Sequence, residues 1–278
     1  MGKAKEANGA VGAEHSIKQL KECISDFISE SDLYSDDFYL LRWLRAGSMD
    51  VTRAAKLLRN AAKWRKSYEL ESLLEENFPQ DWLETMPIYV DAMSVDGVVV
   101  ATAEAGAIDF RQIVEEKGKE TAVRLMAQAF AQSEKVILER NKINFQDQPL
   151  NEHSIQGATL IVDFNNFSAR QIQSFRSIQA TIDVCKILVN YFPDLGSKFI
   201  CINCNSVSMV ILKILRSIIE GPHFKFEIYG SDENEWKPSI LPQIPANQLR
   251  RPFGGTRDDG ETIKRDRLVN PNNFLSVK

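Results

Sequence analysis

Residues 198–219 read KFICINCNSVSMVILKILRSII and combine two patterns that decide the fold. The first six residues form a short apolar run, which is typical of a buried β-strand. From Val207 to Ile219 nine of thirteen side chains are apolar, which predicts a helix with little polar surface. This helix is too short to cross a bilayer, which needs about 20 apolar residues. It is therefore a core helix, an interface helix, a membrane-surface helix or one wall of an apolar cavity.

The composition indicates a soluble globular chain. It has 278 residues and a net charge of -4, with both signs spread along the sequence. A nucleic-acid partner normally requires a strongly basic surface, so we expect none. The N-terminal stretch MGKAKEANGAVGAEH lacks the apolar centre of a secretory signal, and no other window reaches transmembrane length. We therefore expect a cytoplasmic protein.

Candidate catalytic groups are few. The three histidines, His15, His153 and His223, have no partner at a short spacing, and the common nucleotide-binding, hydrolase and metalloprotease motifs are absent. Asp163 ends the apolar run LIVDF, and we interpret it as a hydrogen-bond acceptor for a neighbouring loop. We expect no enzyme activity and no cofactor.

Cys201 and Cys204 form a C-x-x-C motif, which suggests redox or zinc chemistry. A zinc site requires a second pair of ligands, and redox use requires the motif at a helix start. In a strand, a separation of three residues sends the two thiols to opposite faces of the sheet. We therefore expect two small core residues.

The order of elements predicts an α/β fold. Residues 1–13 have the composition of a flexible leader, and residues 14–75 show amphipathic helical spacing. Short apolar strands then alternate with longer helical stretches up to residue 255, which indicates a mainly parallel sheet covered by helices. Residues 256–278 are polar and are expected to form a loosely held tail.

Three stretches resemble the CRAL-TRIO family of lipid-binding and lipid-transfer proteins. The first, DDFYLLRWLRAGSMDVTRAAKLLRNAAKWRK, is similar to the family's N-terminal helical module. The second, YFPDLGSKFICIN, is similar to its Tyr-Tyr-Pro-Glu stretch and the strand that follows. The third, IPANQLRRPFGG, is similar to the end of its lipid domain. The resemblance implies a small three-helix module at 14–75, then a CRAL-TRIO lipid-binding domain at 76–255 that encloses an apolar pocket.

In this family the helix after the Ile-Asn strand is a gate over the pocket, so the resemblance assigns that role to residues 206–220. The candidate pocket residues lie on three predicted strands and on the gate. The sequence does not set the register of the strands. Either Val98 and Val100 or Val99 and Ala101 face the pocket, and either Phe199 or Ile200 does. The predicted ligand contacts are Val100, Ala158, Leu160, Val162, Ile200, Met209, Leu212, Leu215 and Ile219. Leu212→Asp is expected to keep the fold and abolish lipid transfer.

The resemblance also guides the choice of lipid. In phosphatidylinositol-transfer members a basic pair, an acid and a lysine hold an inositol phosphate. Gly47 and Ser48 replace the basic pair here, whereas Asp194 and Lys225 keep the other two positions. Losing two cations removes charge-assisted bonds worth roughly 1.5–3 kcal/mol each.

Two further departures concern the pocket interior and the membrane surface. Ala158 and Leu160 replace the hydroxyl residues that meet a choline phospholipid in the same members. Lys198, Arg216 and Lys225 could form a modest basic patch near the gate, facing an anionic leaflet.

We therefore expect a cytoplasmic carrier that binds a tocopherol-, retinoid-, carotenoid- or squalene-like lipid and exchanges it transiently with membranes. The alternatives are a phosphatidylinositol or phosphatidylcholine transfer protein and, from another class, an interaction or scaffold module.

Overall fold

The computed structural model describes residues 2–257 together with 268 and 269. The N-terminal part consists of helices. They are α1 (Gly2–Cys23), α2 (Asp37–Ala46), α3 (Val51–Ser67), α4 (Leu70–Glu75) and α5 (Gln80–Glu84), with two short 3₁₀ turns at Ile28–Glu30 and Asp32–Ser35. Helix α1 begins at Gly2, so it includes the segment expected to be a flexible leader.

The starts of α2 and α3 are fixed by aspartate caps. The side chain of Asp36 accepts from the backbone N–H of Tyr39 at 3.0 Å, and that of Asp50 accepts from Arg53 at 2.9 Å. These bonds satisfy backbone donors that the first turn of a helix leaves without a partner. The apolar faces of α1, α2 and α3 then pack together around Trp43, which is 1% exposed.

The second part is built on a five-stranded sheet in the order β1-β2-β3-β4-β5. The strands are β1 (Ile88–Met93), β2 (Val99–Glu104), β3 (Ala158–Asp163), β4 (Gly196–Ile202) and β5 (Lys225–Ile228). Strands β1 and β2 are antiparallel, and the other three neighbouring pairs are parallel. The predicted mainly parallel sheet is therefore confirmed. The turn between β1 and β2 contains Gly97 at φ +74°, a conformation that favours glycine.

Helices connect the parallel strands. They are α6 (Phe110–Lys117), α7 (Lys119–Phe145), α8 (Phe175–Tyr191) and α9 (Ser208–Ile219), with a short 3₁₀ turn at Ala169–Ile172. After β5 come α10 (Glu233–Ile240) and two 3₁₀ turns at Ala246–Gln248 and Arg251–Phe253. Helix α9 packs on one face of the sheet with α8 beside it, and α10 packs on the other face. Because α8 and α9 each follow a parallel strand, both begin at the carboxyl edge of the sheet.

Alternating side chains of the strands separate the two faces. Leu160, Val162 and Phe199 point toward α9, whereas Ile161 and Ile200 point toward α10. Among the described residues, no helix combines the length and the hydropathy that a membrane span requires.

The predicted C-terminal tail at 256–278 lies mostly outside the described residues. Its two described members beyond residue 257, Leu268 and Val269, are each 3% exposed and belong to the core beside α7 and α8. This short segment is therefore packed against the fold and is not loosely held.

Candidate functional site

An apolar chamber lies between the sheet and helices α7, α8 and α9. Its volume is about 310 Å³, which is at the lower end of the range for small-molecule sites. We call it the chamber. The strands contribute Ile88, Ala103, Leu160, Val162 and Phe199, and the helices contribute Met126, Phe130, Val184, Leu188, Ile211, Leu215 and Ile219.

Four of the predicted ligand contacts line the chamber: Leu160, Val162, Leu215 and Ile219. Leu215 and Ile219 are one helical turn apart on α9, and Ile211 continues the same face one turn earlier. Helix α9 therefore forms one wall of an apolar cavity, which was one of the four interpretations of its sequence.

Two predicted contacts lie on the wrong face of the sheet. Val100 and Ile200 point away from the chamber into the core formed with α10, where they are 0% and 1% exposed. The adjacent Phe199 lines the chamber instead. A shift of one residue in a strand exchanges the two faces, and an apolar run covered on both sides gives no signal for choosing between them.

The remaining three lie near the chamber but outside its wall. Leu212 is 0% exposed and packs between α9 and the sheet. Met209 packs against the same cluster, and Ala158 packs against the core beside α8. Because Leu212 is a core residue, Leu212→Asp is now expected to disturb the fold as well as transfer.

The wall contributed by α7 and α8 was not predicted from the sequence. Met126 and Phe130 on α7 and Val184 and Leu188 on α8 are spaced four residues apart, as expected for one face of a helix. This spacing also describes an ordinary core-facing helix, so the sequence alone could not separate a chamber wall from a packed core.

A second cavity of about 520 Å³ lies at the other end of α8 and α9. We call it the cleft. Charged and polar residues of α2, α3 and the loops that precede β3, β4 and β5 meet the ends of α8 and α9 here. The polar residues that line it are Arg45, Ser48, Arg53, Glu152, Asp194 and His223.

Within the cleft, Arg45 and Asp194 form an ion pair. The Arg45 Nε to Asp194 Oδ2 distance is 3.0 Å, and the side chains are 12% and 8% exposed. Arg45 Nη1 also donates to the backbone carbonyls of Glu152 at 2.9 Å and Ile155 at 2.6 Å. The guanidinium of Arg53, by contrast, is exposed and makes no ion pair within the described part of the chain.

The chamber and the cleft share part of their walls. Leu188 of α8 and Ile219 of α9 line both cavities. An apolar compartment therefore lies directly beside a compartment with cationic side chains, which is the arrangement needed to hold a molecule with an apolar tail and a polar head.

The four residues predicted for the membrane or headgroup do not come together. Asp194 lies in the cleft. Lys198 of β4 pairs with Glu227 of β5 at 3.2 Å, and Lys225 is the register partner of Lys198. Strand alternation puts both lysines on the sheet face opposite Phe199, and so opposite α9, whereas Arg216 on α9 pairs with Glu220. The expected basic patch beside the gate is therefore divided between two faces.

The C-x-x-C thiols are closer than the strand pattern predicts. Strand β4 ends at Ile202, and Asn203 has φ +55°, which turns the chain and lets Cys204 hydrogen-bond with Cys201. That bond lowers the pKa of Cys204 and raises the pKa of Cys201. Neither is part of a three-ligand metal cluster within the described residues.

Asp163 has the structural role expected for it. Its Oδ1 accepts from the backbone N–H of Asn165 at 2.8 Å and from the Asn203 side chain at 2.7 Å. These bonds join the loops that follow β3 and β4, just before α9 begins.

Comparison with known proteins agrees with this geometry. Residues 95–255 match the CRAL/TRIO domain model, and the chain belongs to this family of lipid-binding and lipid-transfer proteins. The chain is similar to the structure titled "Crystal structure of Sfh5", with a TM-score of 0.62, 14% identity and coverage of 95% of this chain and 94% of that one.

Curated relatives include three yeast proteins named SEC14 cytosolic factor. Those from Schizosaccharomyces pombe and Candida glabrata are 26% and 25% identical, over 79% and 81% of this chain and 74% and 72% of their own lengths. The Yarrowia lipolytica protein is 25% identical over 80% of this chain, which spans only 44% of that relative.

Proposed function

We propose that this chain is a cytoplasmic, non-enzymatic carrier of one amphipathic membrane lipid, and that the lipid is a phospholipid of the phosphatidylinositol or phosphatidylcholine type. The observation that carries the proposal is the wall shared by the chamber and the cleft through Leu188 and Ile219. An acyl chain would occupy the chamber, and the headgroup would lie toward the cleft.

The chamber supplies most of the binding free energy in this proposal. Its wall is made largely of aliphatic and aromatic side chains, and burying apolar lipid surface contributes roughly 25 cal/mol per Å². The cleft supplies orientation, because an arginine holds a phosphate through charge-assisted hydrogen bonds.

Arg53 is the best candidate for the phosphate contact. Gly47 and Ser48 remove the basic pair expected at this end of α2, but Arg53 on the first turn of α3 brings a cation to the same cleft. Arg45 is less available because Asp194 and two carbonyl groups already hold its guanidinium.

The relatives also favour the phospholipid. SEC14-like proteins form a phosphatidylinositol transfer family. The neutral isoprenoid-like ligand expected from the sequence rests on the loss of cations at Gly47 and Ser48 and of hydroxyls at Ala158 and Leu160. Arg53 compensates for the first of these losses, so we now rank the neutral lipid second.

Exchange with a membrane would require α9 to move. Its chamber face, Ile211, Leu215 and Ile219, would cover the bound lipid when the helix is closed. Its outer face carries Val210, which is 53% exposed and suited to contact with a bilayer. These side chains on both faces are apolar, so the movement of α9 breaks no hydrogen bond of theirs.

The test is mass spectrometry of the lipid that co-purifies with the protein, followed by transfer assays between vesicles. We expect a stoichiometric phospholipid and transfer of phosphatidylinositol or phosphatidylcholine. Arg53→Ala should slow transfer, whereas Lys56→Ala, an exposed cation on the same helix outside the cleft wall, should not. A stoichiometric neutral lipid would favour the isoprenoid carrier, and a protein that takes up no lipid would favour the scaffold.

A further inference from the structure

The chamber contains a hydroxyl group that has no hydrogen-bond partner among the described residues. Ser177, on the first turn of α8, lines the chamber and is 3% exposed. Its Oγ is buried and makes no hydrogen bond within the described part of the chain. Leaving a buried hydroxyl without a partner costs about 1–3 kcal/mol, so such a group calls for an explanation.

The neighbouring hydroxyl on the same helix face is Thr181. It also lines the chamber, and its Oγ1 donates to the backbone carbonyl of Ser177 at 2.9 Å. The proton of Thr181 is therefore in use, while its oxygen can still accept. Residues four apart on a helix have Cβ atoms about 5–6 Å apart, so a single ligand oxygen between them could reach both hydroxyls.

The other polar groups at this end of the chamber are already engaged. Gln171 donates to the carbonyl of Gly106 at 3.0 Å, and Asp109 caps α6 through the N–H of Gln112 at 3.0 Å. Arg111 pairs with Glu115 at 3.5 Å. Among the hydroxyl, amide and charged side chains at this end of the chamber, only Ser177 Oγ lacks a partner within the described residues.

This site is well separated from the cleft. Leu188 lies eleven positions after Ser177 on α8, which corresponds to about 16 Å at 1.5 Å per residue. The separation distinguishes the hydroxyl pair from the proposed headgroup contacts at Arg53 and places it deep in the apolar part of the chamber.

We propose that Ser177 and Thr181 form a recognition site for a hydroxyl group of the bound lipid. The ligand oxygen accepts the proton of Ser177, and the ligand proton is donated to Thr181 Oγ1. A ligand hydroxyl satisfies both groups, whereas an ether or a carbonyl satisfies only Ser177. The inference rests on the proposed lipid carriage and adds a chemical preference to it.

Two lipid sources offer this chemistry. One is a neutral lipid that carries an alcohol, which is the ligand ranked second under the proposed function. The other is a phospholipid bound in the reverse of the orientation proposed above, with its inositol ring in the chamber and its acyl chains toward the cleft. Both present a hydroxyl to the same pair of side chains, so the test includes an arm for each.

The experiment uses the full chain and three variants, Ser177→Ala, Thr181→Val and the control Thr121→Val. Thr121 on α7 makes the same kind of bond, to the carbonyl of Lys117 at 3.0 Å, but it lies outside the chamber wall. Each protein is incubated with phosphatidylcholine vesicles that contain equal amounts of 1-hexadecanol and its methyl ether. The bound lipids are quantified by mass spectrometry after the protein is re-isolated.

We expect the unmodified chain and Thr121→Val to prefer the alcohol about three- to tenfold, the range that one hydrogen bond provides. Thr181→Val should reduce this preference toward one, because it removes the acceptor for the ligand proton. Ser177→Ala should instead lower the uptake of both 1-hexadecanol and its methyl ether and keep the preference, because both ligands accept from Ser177. In a second arm with phosphatidylinositol in the vesicles, a loss of phosphatidylinositol uptake relative to phosphatidylcholine in Ser177→Ala identifies the inositol ring as the source. Unchanged uptake of phosphatidylinositol by Ser177→Ala, together with a lower uptake of 1-hexadecanol, identifies a neutral alcohol.

Stability provides a second readout that a purely structural role would not give. Ser177→Ala removes an unsatisfied buried hydroxyl, so the lipid-free variant should have a higher denaturation midpoint than the unmodified chain. Equal uptake of alcohol and ether by the unmodified chain, an unchanged preference in Thr181→Val, or unchanged uptake of the alcohol by Ser177→Ala would overturn the site while leaving lipid carriage intact. If the unmodified chain takes up no 1-hexadecanol, no methyl ether and no phospholipid, the proposed function itself is overturned.

Discussion

Arg42 of α2 and Glu134 of α7 form an ion pair in the interior of the molecule, with Nη1 and Oε1 3.0 Å apart and side chains 0% and 2% exposed. Arg65 of α3 bonds to the other carboxylate oxygen, and Arg42 Nε also donates to the carbonyl of Pro193 at 2.9 Å. One carboxylate thus joins the N-terminal helices to the lipid-binding domain. Since Pro193 precedes Asp194, the same network supports one side of the cleft.

Glu134→Gln should strongly destabilise the protein. The substitution leaves two buried guanidinium groups without their counter-charge, and breaking such a pair typically costs about 3–5 kcal/mol. Denaturant unfolding followed by circular dichroism measures the loss. Glu139→Gln is the control, because Glu139 is 46% exposed and its pair with Lys142 should contribute less than about 1 kcal/mol. A change of similar size in both variants would show that the buried network has no special role.

Leu212→Ala and Leu215→Ala should separate core packing from the chamber wall. Leu212 is fully buried, so its truncation should cost about 2–5 kcal/mol in the free energy of unfolding. Leu215 already borders a cavity, and its truncation should cost less while slowing lipid transfer at equal protein concentration. Denaturant unfolding and a vesicle transfer assay measure the two effects. If Leu215→Ala transfers lipid at the original rate, α9 is not the gate.

Cys204 should react with iodoacetamide faster than Cys185. The hydrogen bond from Cys201 lowers the pKa of Cys204, whereas burial raises the pKa of Cys185 to about 12. The thiolate is the nucleophile, so a lowered pKa increases the reactive fraction and a raised one decreases it.

Peptide mapping of the folded protein at pH 7.5 gives the labelling rates of both cysteines. The difference should narrow in denaturant, where the two thiols have similar surroundings. Equal rates in the folded state would contradict the expected order.

Phe175→Ser and Val210→Ser should weaken association with vesicles. The two side chains are 79% and 53% exposed, and they lie near the starts of α8 and α9, at the same edge of the sheet. Val95→Ser provides a matched control, because Val95 is 64% exposed in the β1–β2 turn. Vesicle flotation measures binding, and the unfolding free energy should change by less than about 0.5 kcal/mol in all three variants. Equal loss in Val95→Ser would argue against a membrane surface beside α9.

The sequence predicted the fold more completely than the site. Apolar runs bounded by polar residues predicted the strands, and amphipathic spacing predicted the N-terminal helices, because these signals depend on neighbours in the chain. The choice between Phe199 and Ile200 depends on which sheet face meets which helix. That choice is made by long-range packing, so an apolar strand buried on both faces does not reveal it.

The polar parts of the site were harder to predict for a related reason. Nothing in the sequence distinguishes Arg53 from the other charges of α3, and its place in the cleft depends on how α3 meets the ends of α8 and α9. Ser177 was likewise ordinary in the sequence. Its importance comes from the absence of a hydrogen-bond partner among the described residues, which is a property of the folded chain.

The wall shared through Leu188 and Ile219 has a thermodynamic consequence. A molecule in one cavity that shifts either side chain changes the space available in the other, so the two occupancies are linked. Linkage is reciprocal: if an anion in the cleft alters the affinity of the chamber for an acyl chain by some factor, the acyl chain alters the affinity for the anion by the same factor. Through these two aliphatic side chains, an anionic headgroup at a membrane surface would change the affinity of the chamber for its lipid during loading or release.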